Sequence, residues 1–489
     1  MKKFVLTTVI AAGSVFASFS ASAQDSADVV AEEAPVVITL EQALEIALSE
    51  NVSVKVADME IKRTEYAKKG TYASLFPQID ASGSYQRTIK KQVMYMDFDM
   101  GSLGGMGGGS AEGDGTELPD GVELPDSGDS AGAASSNNGG GLEVGRWNTW
   151  STGVSASMPL VNAQLWKSLK LSGLDVELAV EKARSSRLDM VTQVKNSYFS
   201  ILLAKEAFEV YKQVYENAIQ NLEDTQMKYD FQKASDVELL SAKTSVANAI
   251  PNVYNAESSV ILALWQFKAV LGVDLDMNLD VAGKLGDYAE HMFYDIHQHD
   301  SVTLDRNTTM KQLAIQAEML AETIKLQKYA TLPSLAVAFN YSINAMTNDF
   351  NFSEYRWTPY AFVGLSLNIP IFAGGKRYNQ IRQAKNQYEQ VKLQTVNTER
   401  QLKIAIRQSL ATMETNMKSY YAANDAVLTA QKAYDIAQAS YKVGRSTLVE
   451  LNNAQLQLTQ SQLAASQAIH SFLTAKTQLE QTLGQDFVE

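Results

Sequence analysis

The sequence predicts a mixed α/β membrane protein in which one succession of helices and strands occurs twice as a tandem internal duplication. Three observations predict it. Segments about 212 residues apart resemble one another, and two stretches of about 65 residues lack proline and are rich in helix-forming residues. Four shorter segments alternate apolar with small or polar residues at a period of two. Helices of that length do not build an ordinary globular core.

Composition narrows the functional classes. The 489 residues include no cysteine and only four histidines, which excludes disulfides, thiolate metal sites and a cysteine nucleophile. The formal charge is −13, but residues 97–145 hold ten acids and no Lys or Arg, so the acidity is local and no basic patch indicates nucleic acid. The sequence lacks the phosphate-loop, nucleophile-elbow and zinc-protease motifs. We therefore expect a protein that is not an enzyme and has no cofactor.

The N-terminus predicts export. Lys2 and Lys3 precede an apolar run at residues 4–16, and Ala21-Ser22-Ala23 offers small residues before a cut at Gln24. The run is short for a membrane anchor, so residues 1–23 are interpreted as a signal peptide. Residues 25–36 are expected to form a loose leader, and without a cysteine there is no lipid anchor.

The internal repeat sets the domain organisation. Tyr229 and Tyr441 each stand eight residues before Val-Glu-Leu, and Leu-Gly recurs at residues 271–272 and 483–484. Asn51 and Asn307 correspond at a separation of 256. The first repeat, residues 24–274, is expected to contain a helix at 40–73, strands at about 78–95 and 147–159, a long helix at 162–228 and a helix at 236–271. An equatorial connector at 275–303 leads to the second repeat, residues 304–489, with a helix at 307–330, strands at about 334–345 and 357–370, a long helix at 374–440 and a helix at 447–484.

The two long helices would each extend roughly 100 Å at 1.5 Å per residue. Such helices are typical of a coiled coil or a barrel of helices. Pro251 is expected to kink the helix that follows the first turn.

The strands predict a sheet with two unlike faces. Between residues 334 and 343 the odd-numbered positions are all apolar and the even-numbered ones small or polar. A transmembrane β-barrel requires this pattern, and a half-buried soluble sheet gives the same period. An exported chain favours the membrane, as do four aromatic residues near the loop ends, where a girdle would lie: Trp147, Trp150, Trp357 and Tyr360. Four strands cannot close a water-filled barrel, so the chain is expected to oligomerise.

Residues 97–145 separate the first two strands. They hold more than half of the chain's glycines and two copies of Glu-Leu-Pro-Asp, at 117–120 and 123–126. This composition indicates a disordered extracellular loop.

In these features the sequence resembles the TolC-type outer-membrane efflux protein family. The marks are Thr39-Leu-Glu-Gln-Ala-Leu44, the paired strands, the segment IPIFAGGKR at 369–377 and the segment YKVGRSTLVELNNAQ at 441–455. The resemblance implies a homotrimer in which four strands per subunit form a twelve-stranded barrel in the outer membrane, continued by a periplasmic α-helical barrel. It further implies docking on a periplasmic adaptor, or membrane fusion protein, and through it on an inner-membrane pump, for tripartite efflux or type I secretion.

The resemblance also assigns residues to the periplasmic tip, at the turns 229–239 and 441–451. Those matching an adaptor-contact turn are Tyr229, Tyr441, Val443, Gly444, Ser446 and Thr447; those matching the aperture are Asp236, Glu238, Tyr441, Arg445 and Glu450. Arg445 stands one place before the family's basic position, and Asn453 replaces a common second acid. The alternative is that these are ordinary solvated helix-end residues. In a trimer, rings of Glu238 and Glu450 would favour cations and raise the pKa values of these acids by repulsion.

Two further features of the sequence allow other interpretations. His291, His297 and His299 have a spacing that suggests a metal, but no acid or thiol framework completes a site, so a solvated linker is favoured. A periplasmic coiled-coil adaptor or scaffold without a pore explains the long helices, though not the four alternating strands.

Overall fold

A computed structural model of the chain describes residues 35–94, 142–292 and 304–485. The signal peptide, most of the acidic glycine-rich loop, His297, His299 and the last four residues lie outside the described residues. None of the helices within those ranges combines the length and apolarity that crossing a membrane requires.

The chain alternates between helices and strands in two successive halves. The elements of the first half are β1 (Val36–Ile38), α1 (Leu40–Glu50), α2 (Val52–Ala73), β2 (Gln78–Arg87), β3 (Gln92–Met94), β4 (Leu142–Val144), β5 (Asn148–Val161), α3 (Ala163–Asp230) and α4 (Asp236–Leu271). Those of the second half are β6 (Leu279–Val281), a 3-10 helix (Leu285–His291), α5 (Thr308–Tyr329), β7 (Ser334–Thr347), a 3-10 turn (Phe352–Glu354), β8 (Thr358–Asn368), α6 (Lys376–Lys442) and α7 (Leu448–Leu483).

Several boundaries differ from those expected from the sequence. The helix expected at 40–73 is two helices, because Asn51 is extended (φ −62°, ψ 132°) and its side chain accepts a hydrogen bond from the Ser53 amide to cap α2. The strand expected to reach residue 95 ends at Arg87. Pro251, which was expected to kink this helix, lies inside α4, and the helix continues through it to Leu271. In addition, β1 and β6 pair in parallel where a leader and a connector were expected; three residues are too few to show an alternating pattern.

The four longer strands form one antiparallel sheet in the order β2-β5-β7-β8. Residues paired across neighbouring strands share a face. One row across the sheet is apolar and the adjacent row is mostly small and polar: Ala81, Val154, Tyr341 and Ala361 form the first, and Ser82, Gly153, Ser342 and Tyr360 the second. The sheet therefore has the two unlike faces that the alternation predicts.

Tyr360 does not lie on the same face as Trp150. It pairs with Ser342 on the small-polar face, where its ring lies 5.7 Å from that of Phe362. Tyr360 thus has the opposite parity from the apolar residues of β8, and its place in an aromatic girdle stays a prediction.

The long helices pack as two antiparallel hairpins, α3 on α4 and α6 on α7, with α2 and α5 against α3. Helix α3 has 68 residues and is about 100 Å long. The main core lies where α1, α3, α4 and α7 meet the short β1–β6 pair, around the fully buried Tyr198, Phe267 and Phe472.

The same contact holds each half together at this core. Asn51 Nδ2 donates to the Val270 carbonyl at 2.7 Å, and Asn307 Nδ2 donates to the Thr482 carbonyl at 2.7 Å. In both halves a glycine ends the nearby helix in the left-handed region, Gly272 at φ 77° and Gly484 at φ 68°.

A buried carboxylate fixes α5 to α3. Glu322, whose side chain is 2% exposed, lies 2.8 Å from Lys325, 3.0 Å from Lys170 and 3.1 Å from Lys167. Its pKa falls from 4.5 to about 2, first because Lys325 donates a hydrogen bond to it and then because Lys170 and Lys167 do so. The carboxylate is thus held ionised between three cations.

We expect Glu322→Gln to lower the free energy of unfolding by about 3 kcal/mol, because it leaves three lysines without their shared partner. Since the folded pKa is depressed, the wild-type contribution is present above pH 4.5 and is lost as the pH falls towards 2. Denaturant unfolding at pH 7 measures the loss. Glu318→Gln is the matched control: that side chain is 53% exposed and should cost less than about 1 kcal/mol. Equal losses in both variants would contradict this account.

Candidate functional site at the tip of the helical hairpins

Both hairpins turn in the same way at the end far from the sheet. In each turn one residue is left-handed, Gln232 at φ 55° and Gly444 at φ 77°. The backbone amide of the following residue donates a hydrogen bond to a carbonyl oxygen in the last turn of the helix. These bonds join Lys233 N to Lys228 O at 2.7 Å and Arg445 N to Ser440 O at 2.8 Å. Gln232 thus adopts the conformation that glycine supplies in the second half, at a cost of about 1 kcal/mol.

Two of the three predicted aperture acids, Glu238 and Glu450, each close a capping box. The Ser235 amide donates to Glu238 Oε2 at 3.0 Å, and the Thr447 amide donates to Glu450 Oε2 at 3.0 Å. Glu450 is exposed and Glu238 is partly exposed, so capping buries neither acid. The Ser/Thr-x-x-Glu spacing is a sequence signal for this arrangement that the sequence analysis missed.

Capping also affects ionisation. The pKa of Glu450 is lowered, first by the hydrogen bond from the Ser446 hydroxyl at 2.5 Å and then by the Thr447 amide. This direction is opposite to the rise expected from repulsion between three copies, which a single subunit does not contain.

Tyr441 links the two hairpins. Its side chain is buried, and its hydroxyl lies 2.5 Å from Thr225 Oγ1 on α3. The Lys228 ammonium stands 3.5 Å from the Tyr441 ring centroid and donates to the Tyr441 carbonyl oxygen. Burial lowers the pKa of Lys228 and raises that of Tyr441. Three interactions therefore hold the end of α6 against α3.

Tyr441 is predicted from the sequence as a residue of the tip, but its two partners are not. Thr225 lies four residues before Tyr229 and Lys228 lies immediately before it, both in the other half of the repeat, and their positions gave no signal of their own. Tyr229 points to a different partner, Asp236, whose hydrogen bond raises the pKa of the Tyr229 hydroxyl. The structure thus brings Tyr441 into the link and joins Tyr229 to Asp236 at the first turn.

The rest of the tip is exposed. Val443 is 70% exposed and Arg445 is also at the surface, as are the apolar side chains Phe231, Val237 and Val449. A cavity of about 460 Å³ opens between the hairpin ends, lined in part by Asp224, Phe231, Lys233 and Lys442. Exposed apolar groups beside charged ones are typical of a surface that binds another protein.

The aromatic residues predicted for a girdle lie at the opposite end of the molecule. The centroid of the Trp150 ring lies 4.3 Å from that of Tyr85 and 5.1 Å from that of Phe352, which it meets edge-on. The ring centroids of Trp357 and Tyr355 are 6.3 Å apart. Trp147 stands just before β5, under the Lys91 ammonium. Together with Phe350, these rings form a cluster at the loop end of the sheet.

No group of three or more His, Asp or Glu side chains suited to a metal occurs in the part of the chain that the structure describes. His470 lies within α7, where burial lowers its pKa and its Nε2 is 3.3 Å from Ser200 Oγ.

The chain matches known proteins over most of its length. The family model described as "Outer membrane efflux protein" matches residues 124–273 and 301–485. Outer membrane protein TolC of Vibrio cholerae serotype O1 is 20% identical over 342 residues, which are 68% of this chain and 76% of that protein.

Solved structures share the fold. The Campylobacter jejuni CmeC outer membrane channel superposes with a TM-score of 0.66 at 17% identity, over 91% of this chain and 85% of that one. The open state of the Neisseria gonorrhoeae MtrE outer membrane channel gives a TM-score of 0.64 at 15% identity, over 91% and 88% of the two chains.

Proposed function

Because the chain belongs to the outer membrane efflux protein family and is an outer-membrane exit duct for efflux, we propose that three copies assemble into one continuous conduit. The observation that carries the proposal is the sheet. Its four strands end in two unpaired edges, β2 and β8, within the described chain. Pairing β8 of one copy with β2 of the next closes a twelve-stranded barrel and removes every edge.

The two faces of the sheet determine which side of the barrel wall faces lipid and which faces the lumen. The apolar face, with Val154, Phe339 and Leu365, is placed against lipid, and the small-polar face, with Ser155, Asn340 and Ser366, lines a wet lumen. Three hairpin pairs about 100 Å long then continue the lumen across the periplasm as a barrel of helices. The repeated element order and the matched Asn51 and Asn307 contacts support a tandem duplication as the origin of this subunit.

Export of the chain follows from the N-terminus. We propose that residues 1–23 are removed as a signal peptide and that no lipid is attached, since the sequence has no cysteine.

The tip is proposed as the closed end of the duct and the place where partners bind. A periplasmic adaptor binds the turn that contains Val443, Gly444, Ser446 and Thr447, and the adaptor links the duct to an inner-membrane pump. The contacts of Tyr441 hold the tip closed in the resting state. The duct itself performs no chemistry, and its transport is passive.

Neutralising the tip acids tests the selectivity of this duct. We expect Glu238→Gln with Glu450→Gln to reduce cation preference several-fold in planar bilayers, because two rings of negative charge are removed from the narrow mouth. Glutamine still closes a capping box, so the fold is retained. Glu65→Gln with Glu216→Gln, exposed acids away from the tip, has the same charge change and should leave selectivity unaltered. Unchanged selectivity in the tip variant would show that these acids do not set the cation preference of the duct.

A further inference from the structure

The loop end of the sheet carries a set of basic residues, here called the loop-end collar. Arg87 ends β2, Lys90 and Lys91 follow it, Arg146 precedes β5 and Arg356 precedes β8. Four of the five are exposed, and none forms an ion pair within the described chain. The described residues at this end of the sheet therefore include five basic side chains without an acidic partner among them.

Two of these cations lie on aromatic rings. The Arg87 guanidinium stands 5.8 Å from the centroid of Phe350, and the Lys91 ammonium stands 4.8 Å from that of Trp147. Such contacts fix a cation at the border between an apolar surface and water.

The aromatic cluster continues below the collar on the apolar face. Tyr85 and Trp150 are a cross-strand pair on that face, in line with the apolar rows of the sheet. A cavity of about 330 Å³ opens between them, Gly83 and Trp357. Trp150 Nε1 is buried there with no hydrogen-bond acceptor among the described residues. The site thus offers apolar surface, one indole donor and cations at its rim.

We propose that the loop-end collar and the aromatic cluster bind one phosphorylated glycolipid of the outer leaflet. The inference rests on the proposed function, which puts the loop end at the outer surface of the membrane. The acyl chains lie along the apolar face and on the rings of Trp150 and Trp357. The phosphates pair with Arg87, Lys91 and Arg356. Charge complementarity at the rim and continuity with the lipid-facing surface both favour a lipid over a soluble anion.

The test measures lipid retention by the purified full-length protein. The probe is lipid A, an acylated and doubly phosphorylated glucosamine disaccharide, titrated in mild detergent and followed by native mass spectrometry. We expect the triple variant Arg87→Gln, Lys91→Gln, Arg356→Gln to bind it at least about tenfold more weakly. The matched control is Lys62→Gln, Lys385→Gln, Lys432→Gln, which removes the same charge from exposed positions on the helices and should bind as wild type.

A second variant keeps the charge and removes the apolar contact. Trp357→Ala should weaken lipid binding severalfold without disturbing the fold, because the Trp357 side chain is 44% exposed. If the triple variant does not fold, this variant still tests the proposal. Wild-type retention by either folded variant overturns the proposal. So does an equal loss in the control, or loss only on deletion of residues 97–141, which would assign the binding to that acidic segment. Single-channel conductance of the same variants separates this failure from failure of the duct itself.

Discussion

Replacing Gly484 with alanine is expected to prevent the protein from accumulating in its folded form. A Cβ on Gly484 would lie 2.2 Å from the carbonyl oxygen of Arg306 and 2.7 Å from its carbon, so backbone has to move. The φ of +68° adds left-handed strain. Together these should lower the free energy of unfolding by about 3 kcal/mol or more. Denaturant unfolding, together with the amount of folded protein in the outer-membrane fraction, measures the effect.

The effect should be large because three segments meet at this glycine. The Gly484 carbonyl accepts a hydrogen bond from Arg184 Nη2 at 2.8 Å, and Arg184 Nη1 donates to the Arg306 carbonyl at 3.0 Å. Gly444→Ala is the matched control. Its φ is +77°, but a Cβ there meets nothing within 4 Å, so it should cost only about 1 kcal/mol. Similar losses at both positions would show that the close approach at Gly484 contributes nothing.

Tyr441→Ala is expected to open the periplasmic tip. The substitution removes a buried ring, its hydroxyl contact with Thr225 and the surface on which the Lys228 ammonium rests. Loss of a buried aromatic costs about 3 kcal/mol, which would shift the balance between the closed and released ends of α6 by about 100-fold. Single-channel recordings should then show a larger conductance that is open for most of the time.

Tyr434 supplies the control for this prediction. It is buried on α6 two turns above Tyr441, and its hydroxyl meets Gln438 of its own helix at 3.4 Å rather than α3. Tyr434→Ala should therefore destabilise the hairpin by a similar amount while leaving the conductance near that of wild type. An equal increase in conductance would mean that general loosening, and not the Tyr441 link, opens the tip.

Much of the fold is set by local pattern and could be predicted from the sequence. The resemblance to the efflux family is confirmed by the family match over residues 124–273 and 301–485. The alternation at residues 334–343 lies within β7, and the helix expected at 236–271 has those bounds in α4. The strand is recognised by its period of two, and the helix by a long run of helix-forming residues that recurs in the second half of the chain.

What could not be predicted depends on tertiary contacts or on single residues. The break at Asn51 interrupts a run of good helix formers, and its partner Val270 is 219 residues away. The pairing of β1 with β6 involves three residues from distant parts of the chain. At the tip, Thr225 and Lys228 contact Tyr441 only because α3 and α6 come together there.

We propose above that this chain forms a trimeric outer-membrane duct closed at its periplasmic tip. Single-channel conductance of the purified wild-type trimer in a planar bilayer, beside Tyr441→Ala, tests it most directly. We expect stable, small, cation-preferring openings for the wild type and a larger conductance for the variant. A well-folded protein that conducts in neither form would contradict the duct and leave a periplasmic scaffold without a pore.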